Sequence, residues 1–312
     1  MKRLLFFIVF ALLFTNGYAQ QKTIQERLGY PRDTKLLIIH ADDLGVSQSQ
    51  NAASIQAMEK GSVSSGSIMM PCPWMGDIAE YARTHPKADL GLHLTLTSEW
   101  KFYKWGTVTP VDQAASLVNK QGFLYSATDS LYKSARIDEV EKEIRSQIER
   151  AKLFGIDFTH FDSHMGSLFI TADYLKILIR LGREYKVPVL LNREAFKYVF
   201  NVDVDPLLSD QEVLVDKLFM AQPNDFKNGM NNYYTGILKT LQPGLSCILL
   251  HAAYDNPEMK AVTVDHPDYG AEWRQADFNF FTSDECKNLL QDQKIKVITW
   301  REIRDKLFRS QK

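Results

Sequence analysis

Two adjacent carboxylates, Asp42 and Asp43, follow an apolar run and a histidine in the stretch KLLIIHADDLG, Lys35–Gly45. Three further runs carry residues of the same kind: His93 in GLHL, then His160, Asp162 and His164 in THFDSH, and His251 at the end of CILLH. Five of the seven histidines therefore stand in four short segments, while His85 and His266 lie in loop-like THP and DHP and read as surface residues. If THFDSH is a strand, its period of two turns His160, Asp162 and His164 to one face; in a helix Asp162 would point away from the other two. The neighbours Phe158, Thr159 and Phe161 favour the strand.

Burying several titratable groups on one face costs several kcal/mol per ion unless something neutralises them. A divalent cation does so directly. One carboxylate and two imidazoles form an open set of three protein ligands that leaves positions for water and substrate. A further carboxylate such as Asp162 then orients a ligating imidazole through its other nitrogen. Neighbouring side chains normally point in different directions, so the Asp42/Asp43 pair divides its labour: one aspartate on the metal, one facing the attacking water as general base. Alone, ADD reads as a helix cap or a solvated turn, and His93 alone fits a satisfied strand histidine as well as it fits a ligand. Only the joint pattern selects a metal site.

The elements that must hold these residues alternate. KLLIIH (35–40), ADLGLHLTLT (88–97), DFTHFDSH (157–164), VPVLL (187–191), CILLHAA (247–253) and IKVIT (295–299) read as strands. Between them lie helical patterns near 51–60, from Asp138 with a capping box of Asp138 and Glu141, at 172–186 and at 283–292, with a last helix from Trp300. In ADLGLHLTLT, Leu90, Leu92, Leu94 and Leu96 share one face, and Gly91, His93, Thr95 and Thr97 the other. Such alternation predicts parallel strands with helical crossovers, closed as a (β/α) barrel with its chemistry at the C-terminal strand ends. An open doubly wound sheet is the alternative, but no Gly-rich phosphate loop follows the first strand.

Residues 1–19 read as a secretory signal peptide: Lys2 and Arg3, an apolar run Leu4–Phe14, and a small-residue site ending at Ala19. The remainder, 20–312, shows no linker or repeat and reads as one domain. Export to the periplasm or the exterior follows, with no stable membrane insertion once the leader is removed. A formal charge of -1 gives no field for nucleic acid. Cys72, Cys247 and Cys286 form neither a disulfide framework nor a zinc motif, and Cys247 reads as a core residue.

In order, LLIIHADDLGVSQSQNAASIQAMEKGSVSSGSIMM, LGLHLTLT, SLVNKQGFL, FTHFDSH and LLHAA resemble the YdjC-like carbohydrate deacetylases, relatives of diacetylchitobiose deacetylase and of the hopanoid-pathway deacetylase. The resemblance runs from about Lys35 to Leu307. It implies a distorted, seven-stranded (β/α) barrel, one divalent metal ion, magnesium or zinc, and removal of N-acetyl groups from an amino sugar or small chitooligosaccharide-like substrate. By motif, Asp42 matches the catalytic base and Asp43 a metal ligand beside His93 and His164, while His251 matches a histidine suited to protonating the departing amine. His160, Asp162 and His40 stand behind these groups. The sequence departs from the family pattern at His40, where Asn is usual, at MGSLF after DSH, and at HAAYDNP in place of HPG.

Aromatic platforms for a pyranose ring are available in Trp100, Phe102, Tyr103 and Trp105, and in Tyr269 and Trp273, while Arg193 after VLLN is placed to bind substrate polar groups. The expected partner is a small carbohydrate, with a homodimer left open. Another metallohydrolase, a phosphoesterase or a different amidase, lacks its second carboxylate-rich metal set and phosphate clamps here. A non-catalytic sugar-binding barrel would have no need of a base.

Overall fold

The computed structural model describes residues 22–310, so the leader read at residues 1–19 lies outside the described residues. Seven strands, β1 Lys35–Leu44, β2 Ser65–Ile68, β3 Leu90–Leu94, β4 Phe161–Ser163, β5 Lys217–Met220, β6 Gly244–Leu250 and β7 Ile295–Val297, form one parallel sheet. Its order is β4-β3-β2-β1-β6-β5, with β7 on β1. One edge of β1 pairs with β6 along Lys35–Ala41; the other takes β7 at Lys35–Leu37 and then β2 from His40.

The VPVLL segment bridges the remaining gap between β4 and β5. Leu190 N donates to Phe161 O at 2.9 Å, and Val215 N donates to Leu191 O at 2.9 Å. Pro188 faces β4 without an N–H to donate, so this ladder stops at the single bridge Phe161–Val189 instead of becoming the expected strand. The result is the α/β barrel that the alternation predicts, with its ring completed by one weak bridge.

The alternation of β1 explains the two apolar cores. Leu36 and Ile38 point into the ring with Cys247, Val215 and Trp300, and close its lower half. Leu37, Ile39 and Ala41 point outward under helices that include Gln48–Lys60, Ile137–Leu153 and Ala172–Tyr185. Continued inward, the period of two delivers His40 and then Asp42 to the upper half of the ring. Cys247 is a core residue as expected, and all three cysteines are buried and free.

Two strands escape the sequence pattern. SGSI of β2 is small and polar, yet Ser65 and Ser67 face His40 inside the ring, so this strand is defined by its neighbours. KLFM of β5 is half exposed and pairs only with β6. The expected capping box at Asp138 is absent. That helix starts at Ile137 after Arg136, Asp138 pairs with Arg136, and Glu141 is taken by Arg145 and Arg180. Its buried stripe of Val140, Ile144, Ile148 and Ala151 is as read. No helix among the described residues is long and apolar enough to cross a membrane.

Candidate metal centre and active site

A shift in the β1–β2 register between Ala41 and Leu44 breaks the alternation of β1, and Asp43 adopts a left-handed backbone (φ 67°). Aspartate tolerates that conformation better than most residues, and such outliers gather where function over-determines the backbone. Its effect is to turn both carboxylates into the same mouth, which ordinary strand geometry forbids.

Three ligand-type atoms then face one another. Asp43 Oδ1 lies 3.5 Å from His93 Nε2 and 3.4 Å from His164 Nδ1, and it is buried without a hydrogen-bond partner. The opposite atom of each group is taken. Arg274 donates to Asp43 Oδ2 at 2.8 Å, His93 Nδ1 lies 2.7 Å from Asp162 Oδ1, and His164 Nε2 lies 2.9 Å from Glu99 Oε2. With those outer nitrogens donating to carboxylates, Nε2 of His93 and Nδ1 of His164 turn lone pairs toward Asp43 Oδ1. A divalent cation fits this donor set, and the orphaned oxygen is the sign of it.

Proton affinities report the same demand for positive charge. Burial opposes a charged His164, but Glu99 and Asp43 outweigh it and lift the pKa to about 10. Burial likewise opposes the Asp43 carboxylate, and Arg274 with the neighbouring histidines holds it well below the usual range. A divalent cation held at this point would require His164 neutral and would supply the positive charge in place of its proton.

Behind the ligand atoms, His40 Nε2 sits 3.0 Å from Asp42 Oδ1 and 2.9 Å from Asp162 Oδ2, with Ser65 on its other nitrogen. Burial opposes its charge, yet the hydrogen bonds to Asp162 and Asp42 raise its pKa to about 10. An imidazolium thus joins the two carboxylates. His160 stands one layer deeper, 3.8 Å from Asp162 Oδ2, where burial lowers its pKa; its ring stacks on Trp300 at 5.2 Å and packs on Gly91. His251, just past β6, places Nε2 3.9 Å from Asp42 Oδ2, and burial lowers its pKa to about 4. With that pKa it is neutral at rest.

Asp42, Asp43, His93, Asp162, His164 and His251 line a cavity of about 730 Å³. Of the residues expected to bind substrate, Trp100 and Tyr269 line it. Trp105 is buried behind them and donates Nε1 to Thr97 O, and Trp273 is buried in a stack with Phe226 and Tyr269. Phe102 is exposed. Arg193 corrects the expectation: it is exposed, pairs with Asp205 and does not line the cavity, because the short helix Arg193–Tyr198 presents its first residue to solvent. His266, read as a surface residue, lines the cavity.

Glu99, Arg274 and Gln50 are the site residues that the sequence reading missed. Gln50 accepts from Arg274 and donates to the backbone oxygen of Asp42, tying the two aspartates to one guanidinium. Arg274 lies 231 positions from Asp43 in the helix Ala271–Thr282, and no local pattern marks it.

Ring, strand-end site and paired aspartates together define an α/β barrel with a candidate divalent-metal centre at its C-terminal mouth. Residues 36–292 match the YdjC-like protein family, and the chain belongs to that family. A carbohydrate deacetylase of Thermus thermophilus is 31% identical over 288 residues, spanning 91% of this chain and 98% of its own. A chitooligosaccharide deacetylase of Yersinia enterocolitica is 33% identical over 164 residues, 51% of this chain and 60% of its own. Among solved structures, an Enterococcus faecalis V583 protein described as a candidate for cellobiose-phosphate cleavage shares the fold, with a TM-score of 0.69 at 20% identity over 86% of this chain and 99% of its own.

Proposed function

We propose that the protein is a metal-dependent carbohydrate deacetylase that hydrolyses the N-acetyl group of an amino sugar or small oligosaccharide. One observation carries the reading: the unpartnered Asp43 Oδ1 faces free nitrogens of His93 and His164, with a second carboxylate, Asp42, beside them. The relatives named carbohydrate deacetylases support the substrate class.

Asp43, His93 and His164 would hold the cation, which when bound polarises a carbonyl and acidifies water. Asp42 accepts the proton of the attacking water, and His40 and Ser67 on its Oδ1 hold the carboxylate in place for that transfer. The water oxygen bonds to the acetamide carbon, the C–N bond breaks and the nitrogen leaves with a proton. His251, neutral at rest, must first gain a proton, and Asp42 Oδ2, 3.9 Å away, can pass one on once the two groups close to hydrogen-bond distance. Asp162 and Glu99 keep the two imidazoles oriented throughout. Export belongs to the same reading and rests on the pattern of residues 1–19.

The test is acetate release from N,N′-diacetylchitobiose and N-acetylglucosamine, with chelator and then with magnesium or zinc restored. Release that stops with chelator and returns with one ion supports the reading and identifies that ion. A purified chain that binds no divalent metal refutes it.

A further inference from the structure

Asp162 has two carboxylate oxygens, and only one of them serves the centre at the mouth. Oδ1 orients His93, while Oδ2 lies 2.9 Å from His40 Nε2 and 3.8 Å from His160 Nε2. One ligand-type atom from each of His40, His160 and Asp162 lies within 4.8 Å of the others, and all three residues are buried. This group sits behind the atoms that face the mouth and shares none of Asp43, His93 and His164 with them.

The protons at this point do not satisfy it. Thr159 Oγ1 sits between Asp89 Oδ1 and His160 Nδ1, 2.9 Å from the nitrogen. Its single hydroxyl proton goes to the Asp89 carboxylate, which can only accept, so His160 Nδ1 donates to Thr159 and His160 Nε2 keeps a lone pair. That Nε2 is buried without a hydrogen-bond partner. It faces a second acceptor, Asp162 Oδ2, and two facing acceptors are costly to bury unless something positive joins them. His40 does not supply it: its Nε2 already faces Asp162 Oδ2, Asp42 Oδ1 at 3.0 Å and Ser67 Oγ at 3.1 Å, more acceptors than one N–H serves. A divalent cation does, because it takes a lone pair from each of the three residues at once. Separations of 2.9 and 3.8 Å suit ligands held about 2.1 Å from one ion. The rings are fixed in that aim: His160 stacks on Trp300 at 5.2 Å, meets the His40 ring edge-on at 4.8 Å and packs on Gly91.

We propose that His40, His160 and Asp162 form a second cation site inside the ring, one layer below the first. Two imidazoles and one carboxylate suit zinc or cobalt(II), whereas magnesium prefers oxygen ligands and stays at the mouth. The ion takes the place of the His40 proton, and Asp89, acting through Thr159, keeps the ligating nitrogen of His160 free of one. Asp162 then joins the two sites, with one oxygen on the deeper ion and the other on His93. The second site stands apart from the deacetylase reading, which needs only the first.

The test strips the full chain with chelator, dialyses it against zinc, cobalt(II) or magnesium, and counts bound metal by elemental analysis. The parent is expected to hold two zinc or cobalt ions and one magnesium, and His40→Asn and His160→Gln should each lose one zinc and keep the other. Asp43→Asn should lose the zinc at the mouth and keep the deeper one. A parent with one zinc that survives His40→Asn and His160→Gln but not Asp43→Asn would overturn the second site and leave the first intact. One zinc with the opposite response would support the deeper site and remove the centre on which the deacetylase reading rests. Two zinc ions that both survive His40→Asn and His160→Gln, or none in the parent, would overturn the proposal. Imidazole nitrogen resonances of the ¹⁵N-labelled parent give the same answer without a variant, should a substitution prevent folding. Titration to the second equivalent of zinc should shift four histidines in all, and a response limited to two would overturn the deeper site.

Discussion

Asp42 and Asp43 are chemically identical neighbours that their surroundings set to different tasks. Asp43 has Arg274 on one oxygen and an open point on the other; Asp42 has His40 and Ser67 on one oxygen and His251 at 3.9 Å from the other. Asp42→Asn should therefore lower kcat by about 10²- to 10⁴-fold, the usual contribution of a positioned base. Metal content by elemental analysis should stay at its unmutated level, which a merely structural role for Asp42 would not predict. Glu99→Gln removes the charge that orients His164 through Nε2, and metal affinity should fall about 10- to 100-fold in competition with a chromophoric chelator. Asp42, Asp43, His93 and His164 were legible because each sits in a short run whose pattern places it at a strand end. Glu99 and Arg274 were not: their partners lie 65 and 231 positions away, and neither lies in a telling pattern.

At the scale of elements, close approach between strands sets the depth of the site. A Cβ on Gly91 would lie 2.3–2.5 Å from the ring atoms of His160, and that ring is held between Trp300 and His40 with no room to retreat. Gly91→Ala should cost about 1–3 kcal/mol, the range for overpacking a filled core. Thermal unfolding should show it as a drop of several degrees, and His160→Ala in the same chain should recover part of the loss. The C-terminal segment is tied down by charge instead. Asp157, just before β4, accepts from Arg301, Arg304 and Arg309, and although burial opposes it these contacts hold its carboxyl below the usual range. A carboxyl depressed in the folded state stabilises above its unfolded pKa near 4, and that contribution fades as pH falls below it. Asp157→Asn should thus be less stable than the parent at neutral pH, with the difference shrinking toward about pH 2 in denaturant titrations.

For the whole molecule, the metal and the fold are linked. The parallel ring and its crossovers bring Asp43, His93 and His164 together across more than a hundred residues, so a divalent cation held by them would bind the folded chain far better than the unfolded one. At a thousandfold excess over Kd the cation should add about 4 kcal/mol of stability, read as a rise in Tm of roughly 5–10 °C. Chelator should reverse it. Reductant should not change Tm, since Cys72, Cys247 and Cys286 are buried and unpaired. Much of this architecture follows from local pattern alone. A strand of alternating inward and outward residues, repeated between amphipathic helices, commits the chain to a parallel α/β ring, and the polar ends of its apolar runs commit the chemistry to one mouth. Local pattern could not decide what depends on contacts between distant segments. SGSI becomes a strand because His40 and Leu92 flank it, and VPVLL contributes only one bridge because Pro188 has no donor to continue its ladder. Arg193 points to solvent while the unmarked Arg274 reaches the aspartates. Periodicity records which face of a segment is buried; which residue that face meets is settled only when the ring closes.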